Sequence, residues 1–138
     1  MASLLYDYFK SSVMDAAINL TTATVYCLLV NGYTALSSHQ FRSSVTSEVS
    51  TTNYTTGGVS ITTLTVTTDT TNHWGQWGGA NVAWSSVTLT ATGAVVYKST
   101  GAASTDNLIC YFDFGGAQTA TNGTFTVQWS TAGIIHLS

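Results

Sequence analysis

Apolar residues recur at spacings of three and four at the start of the chain. Leu4, Leu5, Tyr8, Phe9, Val13 and the pair Ala16 and Ala17 share one side of a 3.6-residue period, which predicts a short amphipathic helix over 3–17. Beyond it the period falls to two. In TATVYCLLV (22–30), Val25, Cys27 and Leu29 alternate with Tyr26, Leu28 and Val30, and both tracks are apolar, as in a strand covered on both faces. Asn31-Gly32 then marks a turn, since both residues tolerate positive φ.

The stretch 34–49 carries enough Ser and Thr to read as a loop with at most one helical turn. After Gly57-Gly58, VSITTLTVTT (59–68) alternates with an offset between Ile61 and Leu64 that suggests a bulge. DTTNHWGQWGG (69–79) reads as a loop or distorted edge, and NVAWSSVTLTATGAVVYKS (81–99) as one or two strands folding about Thr92-Gly93. TGAASTDN (100–107) is a turn cluster. Strand signals follow at LICYFDFGG (108–116), TFTVQWS (124–130) and AGIIHLS (132–138), with ATNG (120–123) as a turn. Short strands at this spacing predict an all-β fold: a single antiparallel β-sandwich or small barrel over 22–138, with the N-terminal helix attached. The chain shows no fixed repeat and no second domain.

Composition sharpens this picture. The 138 residues are 44% hydrophobic and 12% aromatic but only 7% charged, with net charge −3, no Pro, 26 Thr and 16 Ser. Disordered chains are rich in charge and Pro and poor in aromatics, so the sequence is that of a folded domain. Its outside should be hydroxyl and amide rather than ion pairs. Three cations, Lys10, Arg42 and Lys98, cannot track a phosphate backbone, which argues against a nucleic-acid partner. No basic region precedes the first apolar residues and no apolar run approaches ~18, so neither a signal peptide nor a membrane span is expected. Cys27 and Cys110 lie inside strand-like runs and read as small buried hydrophobes in a reducing cytoplasm, with a bridge between them the lesser alternative. Three N-x-T triplets, at Asn19, Asn53 and Asn122, are about what chance gives in so Thr-rich a chain.

Residues that could carry chemistry are few. His39, His73 and His136 show no metal-ligand spacing, so no metal site is expected, and no cofactor motif is present. The carboxylates are scattered, and Asp113, between Phe112 and Phe114, reads as a partner for a turn amide, Lys98 or Arg42. No nucleophile motif occurs, and an enzyme is not expected. His73, Trp74, Trp77 and Trp84 fall within twelve residues among Gly75, Gly78 and Gly79. Trp84 sits in strand alternation and belongs to a core. Trp74 and Trp77 can form a local mini-core, a subunit contact or a platform for a glycan.

Three ordered segments, SEVSTTNYTTGGVSITTLTVTTD (47–69), NVAWSSVTLTATGAVVYKSTGAASTDNLICYFDFGG (81–116) and TNGTFTVQWSTAGIIHL (121–137), carry a further signal. Together they resemble a family of small virion structural proteins of tailed phages and prophages. That family's pattern runs NEVSGTGYTAGG, V-x-W-x-x-x-T-[IL], A-V-[IV]-Y-K-x-T-G, D-F-G and NG-x-F-T-[IV]-x-W. YDYFKSSVMDAAINLTTATVYCLLVNGYT (6–34) is similar to its opening helix and first strand. Asn53 stands where the pattern has Gly, and HWGQWGG replaces a charged loop. The resemblance implies a non-enzymatic capsid decoration (cement) protein on the head shell, made in the host cytoplasm. Its expected partners are the major capsid protein and copies of itself, as a homotrimer. Leu4, Leu5, Tyr8 and Phe9 of the helix, with Trp74 and Trp77, are the expected contact residues. The other reading is a tail or fibre module that binds host glycan through Trp74 and Trp77.

Overall fold

A computed structural model of the protein describes residues 2–138. It is an all-β fold of two antiparallel sheets, neither closed into a barrel, with one short helix near the N-terminus. The elements in chain order are β1 (Leu4–Leu5), α1 (Asp7–Met14), β2 (Val25–Val30), β3 (Val59–Ser60), β4 (Thr65–Asp69), β5 (Trp74–Gly78), β6 (Val82–Lys98), β7 (Asn107–Val127) and β8 (Ile135–Leu137). The larger sheet has the order β1-β7-β6-β2-β3 and the smaller β4-β5-β8.

The helix is shorter than the period predicts. Leu4 and Leu5 instead pair as a strand with Tyr111 and Cys110 on the edge of β7, because an open ladder there offers backbone partners that a helix start would leave unmet. At the other end Ala16 adopts φ +63° and the Asp15 carboxylate accepts the Ala17 amide, so the turn closes before 17.

β2 is buried along nearly its whole length, as its doubly apolar pattern requires. Cys27 pairs with Val96, and Val96 with Cys110, so the two thiols stand in one row two strands apart. That spacing is about 10 Å, beyond what a disulfide can bridge. Both cysteines are free and buried, and burial pushes both thiols well above their ordinary pKa.

Two turn signals and the Gly115-Gly116 pair lie inside strands. β6 runs unbroken through Gly93, where the Tyr111 ring and the Phe112 carbonyl leave no room for a Cβ, so the glycine serves a close approach rather than a reversal. β7 likewise runs through both D-F-G-G and A-T-N-G, which form irregularities in the β6–β7 ladder. Opposite Thr92, the four residues 114–117 bulge out, with Gly115 at φ +75°. There the hairpin bends back on itself. Phe114 and Phe125 have ring centroids 6.1 Å apart. Their neighbourhoods on β6, Gly93 and Trp84, would lie about 30 Å apart along a straight strand.

Between β3 and β4 the chain leaves the large sheet for the small one, with Thr63 at φ +57°. The expected bulge is therefore a crossover. DTTNHWGQWGG holds β5, the central strand of the small sheet, and not a loop.

Residues 47–61 cover the outer edge of β2. Val49 and Ile61 donate to the Leu29 and Val25 carbonyls, and the Leu29 amide donates to Tyr54 Oη at 3.0 Å. Tyr54 Oη in turn donates to Glu48 Oε1, which also accepts from the Gly57 amide. Asn53, at the position where the resembled pattern has Gly, adopts φ +67°, a conformation Asn tolerates better than most residues, and its side-chain amide donates to the Ser86 carbonyl.

Gly58 (φ +79°) presses against β2 so closely that a Cβ would overlap the Cys27 carbonyl. Gly58→Ala is expected to destabilise by more than ~3 kcal/mol in urea unfolding, while Gly101→Ala, with open space around it, costs only its backbone strain of about 1 kcal/mol.

Candidate functional site

The six carboxylates are each engaged in holding backbone or a neighbouring side chain. Asp7 meets Lys10 and Ser37, Asp15 and Asp113 each accept an amide two residues on, Asp69 caps the turn at Thr71 and Asn72, and Glu48 holds Tyr54 and Gly57. Asp106 is the buried one, at 1% exposure, and it takes the Arg42 partnership considered for Asp113. It accepts from Arg42 Nε at 2.7 Å and from the amide and hydroxyl of Thr100. Burial pushes its carboxyl up, but the Thr100 amide and the Arg42 guanidinium outweigh that and hold it below 3.8. Arg42 also lies over the Tyr97 ring at 5.1 Å, which locks residues 40–44 onto the sheet. His39 meets Tyr33 Oη, His136 stacks on Trp74, and His73 sits in the β4–β5 turn. No cluster of three His, Cys, Asp or Glu side chains could hold a metal among the described residues.

The surface that stands out is an apolar groove between α1 and the small sheet, about 270 Å³ in volume. Strand alternation builds one wall. Val66, Trp77 and Ile135 stand in one row across β4, β5 and β8, with Gly75 and Leu137 in another row on the same face. Leu5, Phe9 and Val13 supply the opposite wall. Phe9 (3% exposed) and Trp77 (2%) form the floor, while Met14 (81%), Val66 (55%) and Leu137 (62%) stand out on the rim.

The expected contact residues therefore divide. Leu5, Phe9 and Trp77 line the groove, but Phe9 and Trp77 are core residues first, and Trp77 Nε1 donates to the Leu20 carbonyl at 2.9 Å. Leu4 is half-buried on the opposite face of the large sheet, beside Tyr111, and Tyr8 is half-exposed outside the groove. Trp74 and Trp77, three apart in a strand, point to opposite faces of β5. They cannot form one platform, which corrects the paired-tryptophan expectation. Trp74 lies on the polar face with Gln76 and His136, its ring 4.3 Å from the imidazole and its Nε1 donating to Gln76 Oε1. The rim residues Met14, Val66 and Leu137 were not singled out by sequence reasoning. Val66 and Leu137 could have been found only by recognising β5, whose alternation is masked by a glycine on its apolar face and a tryptophan on its polar one.

Outside the groove the exterior is hydroxyl-rich. Every threonine except Thr90 and Thr92 is exposed, and those two are half-buried. Searches against protein-family models, curated proteins and solved structures find no match for the chain.

Asp106 makes a testable contribution to stability. Its pKa is lower folded than unfolded, so its stabilisation is full above the unfolded value near 3.8 and is lost as pH falls through the folded value. Asp106→Asn is expected to cost about 3 kcal/mol at pH 7 and to flatten the acid limb of a stability–pH curve. The two buried tryptophans give a second test. Trp84 Nε1 is buried without a partner among the described residues, whereas that of Trp77 is satisfied. Trp77→Phe should therefore destabilise more than Trp84→Phe, by about 1 kcal/mol in denaturant unfolding.

Proposed function

We propose that the protein is a non-enzymatic structural component of a tailed-phage virion, a decoration protein that binds the head shell as a symmetric oligomer. The observation that carries this reading is the exterior: rich in threonine and serine hydroxyls, with few charges and an apolar groove with three protruding apolar side chains. Such a surface can be buried over a broad area without stripping water from ions, which costs several kcal/mol per unpaired charge by rough estimate. Hydroxyls and strand backbone can pair across a contact, and the groove supplies its apolar centre. The resemblance of the ordered motifs to a phage virion pattern supports the same assignment.

In this reading the groove meets the major capsid protein, with Met14, Val66 and Leu137 as anchors. Few ions take part, so salt should matter little.

The test is cosedimentation with empty phage heads. The wild-type chain is expected to bind, with less than about a threefold change between low and high salt. Val66→Asp combined with Leu137→Asp places two carboxylates in the contact, and is expected to weaken binding at least about tenfold without unfolding the subunit. Absence of binding to heads by the folded wild-type protein would overturn the proposal.

A further inference from the structure

The outer edge of β7 is closed by the chain itself over only part of its length. Arg42 N–H donates to the Asp106 carbonyl and Leu108 N–H to that of Gln40, just before and at the start of the strand. Next, Tyr6 N–H donates to the Ile109 carbonyl, β1 pairs with Cys110 and Tyr111, and Ser3 Oγ accepts from Asp113 N–H. Past Asp113 no strand among the described residues pairs with that side. Past the 114–117 bulge, residues 118–127 form an edge in a ladder whose alternate backbone groups point outward.

Natural edges are commonly guarded by lysine, proline or inward charges. This stretch, QTATNGTFTV, has none of them. It has one guard, the irregularity at 121–122, where Asn122 N–H turns back to Thr88 Oγ1. A concavity of about 580 Å³ lies beside it, lined by Phe114 and residues of 118–128, all from β7 or the residue after it.

We propose that this edge is a self-docking site, at which residues 118–127 pair antiparallel with the same residues of a second copy across a two-fold axis. Length selects the occupant. The other edge strands β3, β4 and β8 have two, five and three residues, too few to cover about ten, and the side of β6 that β2 leaves unpaired over 82–91 is interrupted at Ser86, whose carbonyl accepts from Asn53 Nδ2, whereas β7 matches itself. Charge permits it, since the single charged residue of β7, Asp113, lies outside the paired stretch. Symmetry closes it, because an isologous pair leaves neither copy with that edge open. Thr119, Thr121, Thr124 and Thr126 then bring hydroxyls to the contact. The pairing rests on the assembly reading for its role, and it gives a dimer where the sequence led to the expectation of a trimer.

Thr121→Cys combined with Thr124→Cys tests it directly, because the pairing sets 121 of each copy opposite 124 of the other, the two positions stand three residues apart along one strand, too far to bridge within a copy, and Cys27 and Cys110 are buried and will not compete. Under mild oxidation this variant is expected to give a bridged dimer as the major product, and Thr68→Cys on the β4 edge is not. Sedimentation of the wild-type chain is expected to give twice the 14.5 kDa chain mass. Thr121→Lys with Thr126→Lys is expected to raise the dimer dissociation constant at least about tenfold at unchanged thermal midpoint. A monomer at every concentration, a threefold mass, or bridging through Thr68 alone would overturn the pairing. Bridged dimers that do not bind heads would leave the pairing standing and remove the virion reading instead.

Discussion

The ladder between β6 and β7 is the constraint on which the other elements depend. β2 pairs with the β6 segment 93–98, β1 and the amides of Tyr6 and Leu108 close the matching part of β7, and the 40–44 turn is tied there through Arg42 and Asp106. The ladder cannot stay straight, because four residues stand opposite Thr92. The bend at Gly115 carries the distal hairpin back until Phe114 meets Phe125, and Phe112 meets Trp129 at 5.4 Å. Strands that turn corners through bulges can build a second layer without a new chain reversal. Trp84, Val87, Leu89, Phe125 and Val127 are accordingly buried along the distal hairpin, while the threonines between them face water.

The same arrangement divides the exterior by chemistry. Charge is spent on fixing turns and the Arg42–Asp106 tie, so little is left for the surface. What remains outside is hydroxyl, strand backbone and the apolar groove under α1. Each is poorly served by water alone compared with a matching partner, and none carries the desolvation cost of an ion. This is the exterior on which the proposed role in broad contacts rests.

Much of the fold was legible in the pattern of residues. The doubly apolar run of β2, the alternation of β6 and the hydroxyl exterior follow directly from side-chain period and composition. What misled was punctuation. Glycine and Asn-Gly pairs mark turns in isolation, yet Gly93 is required by the Tyr111 ring, Gly115 by a bulge and Asn122 by a ladder irregularity, all set by residues distant in sequence. Leu4 and Leu5 fit a helical period and are drawn into a strand by the open edge of β7. Trp74 and Trp77 looked like neighbours until β5 proved to be a strand. Phe9 and Trp77 were legible as important apolar residues, but whether such a residue is floor or rim depends on what packs above it, which no local pattern records.

The central claim is that this neutral exterior exists to be covered. Amide hydrogen exchange on the free subunit and on the subunit bound to phage heads measures that directly. The account predicts added protection in β4, β8 and the rim of α1 on binding, with the already paired amides of β2 unchanged. Unchanged exchange across β4, β8 and the α1 rim in the presence of saturating heads would contradict it.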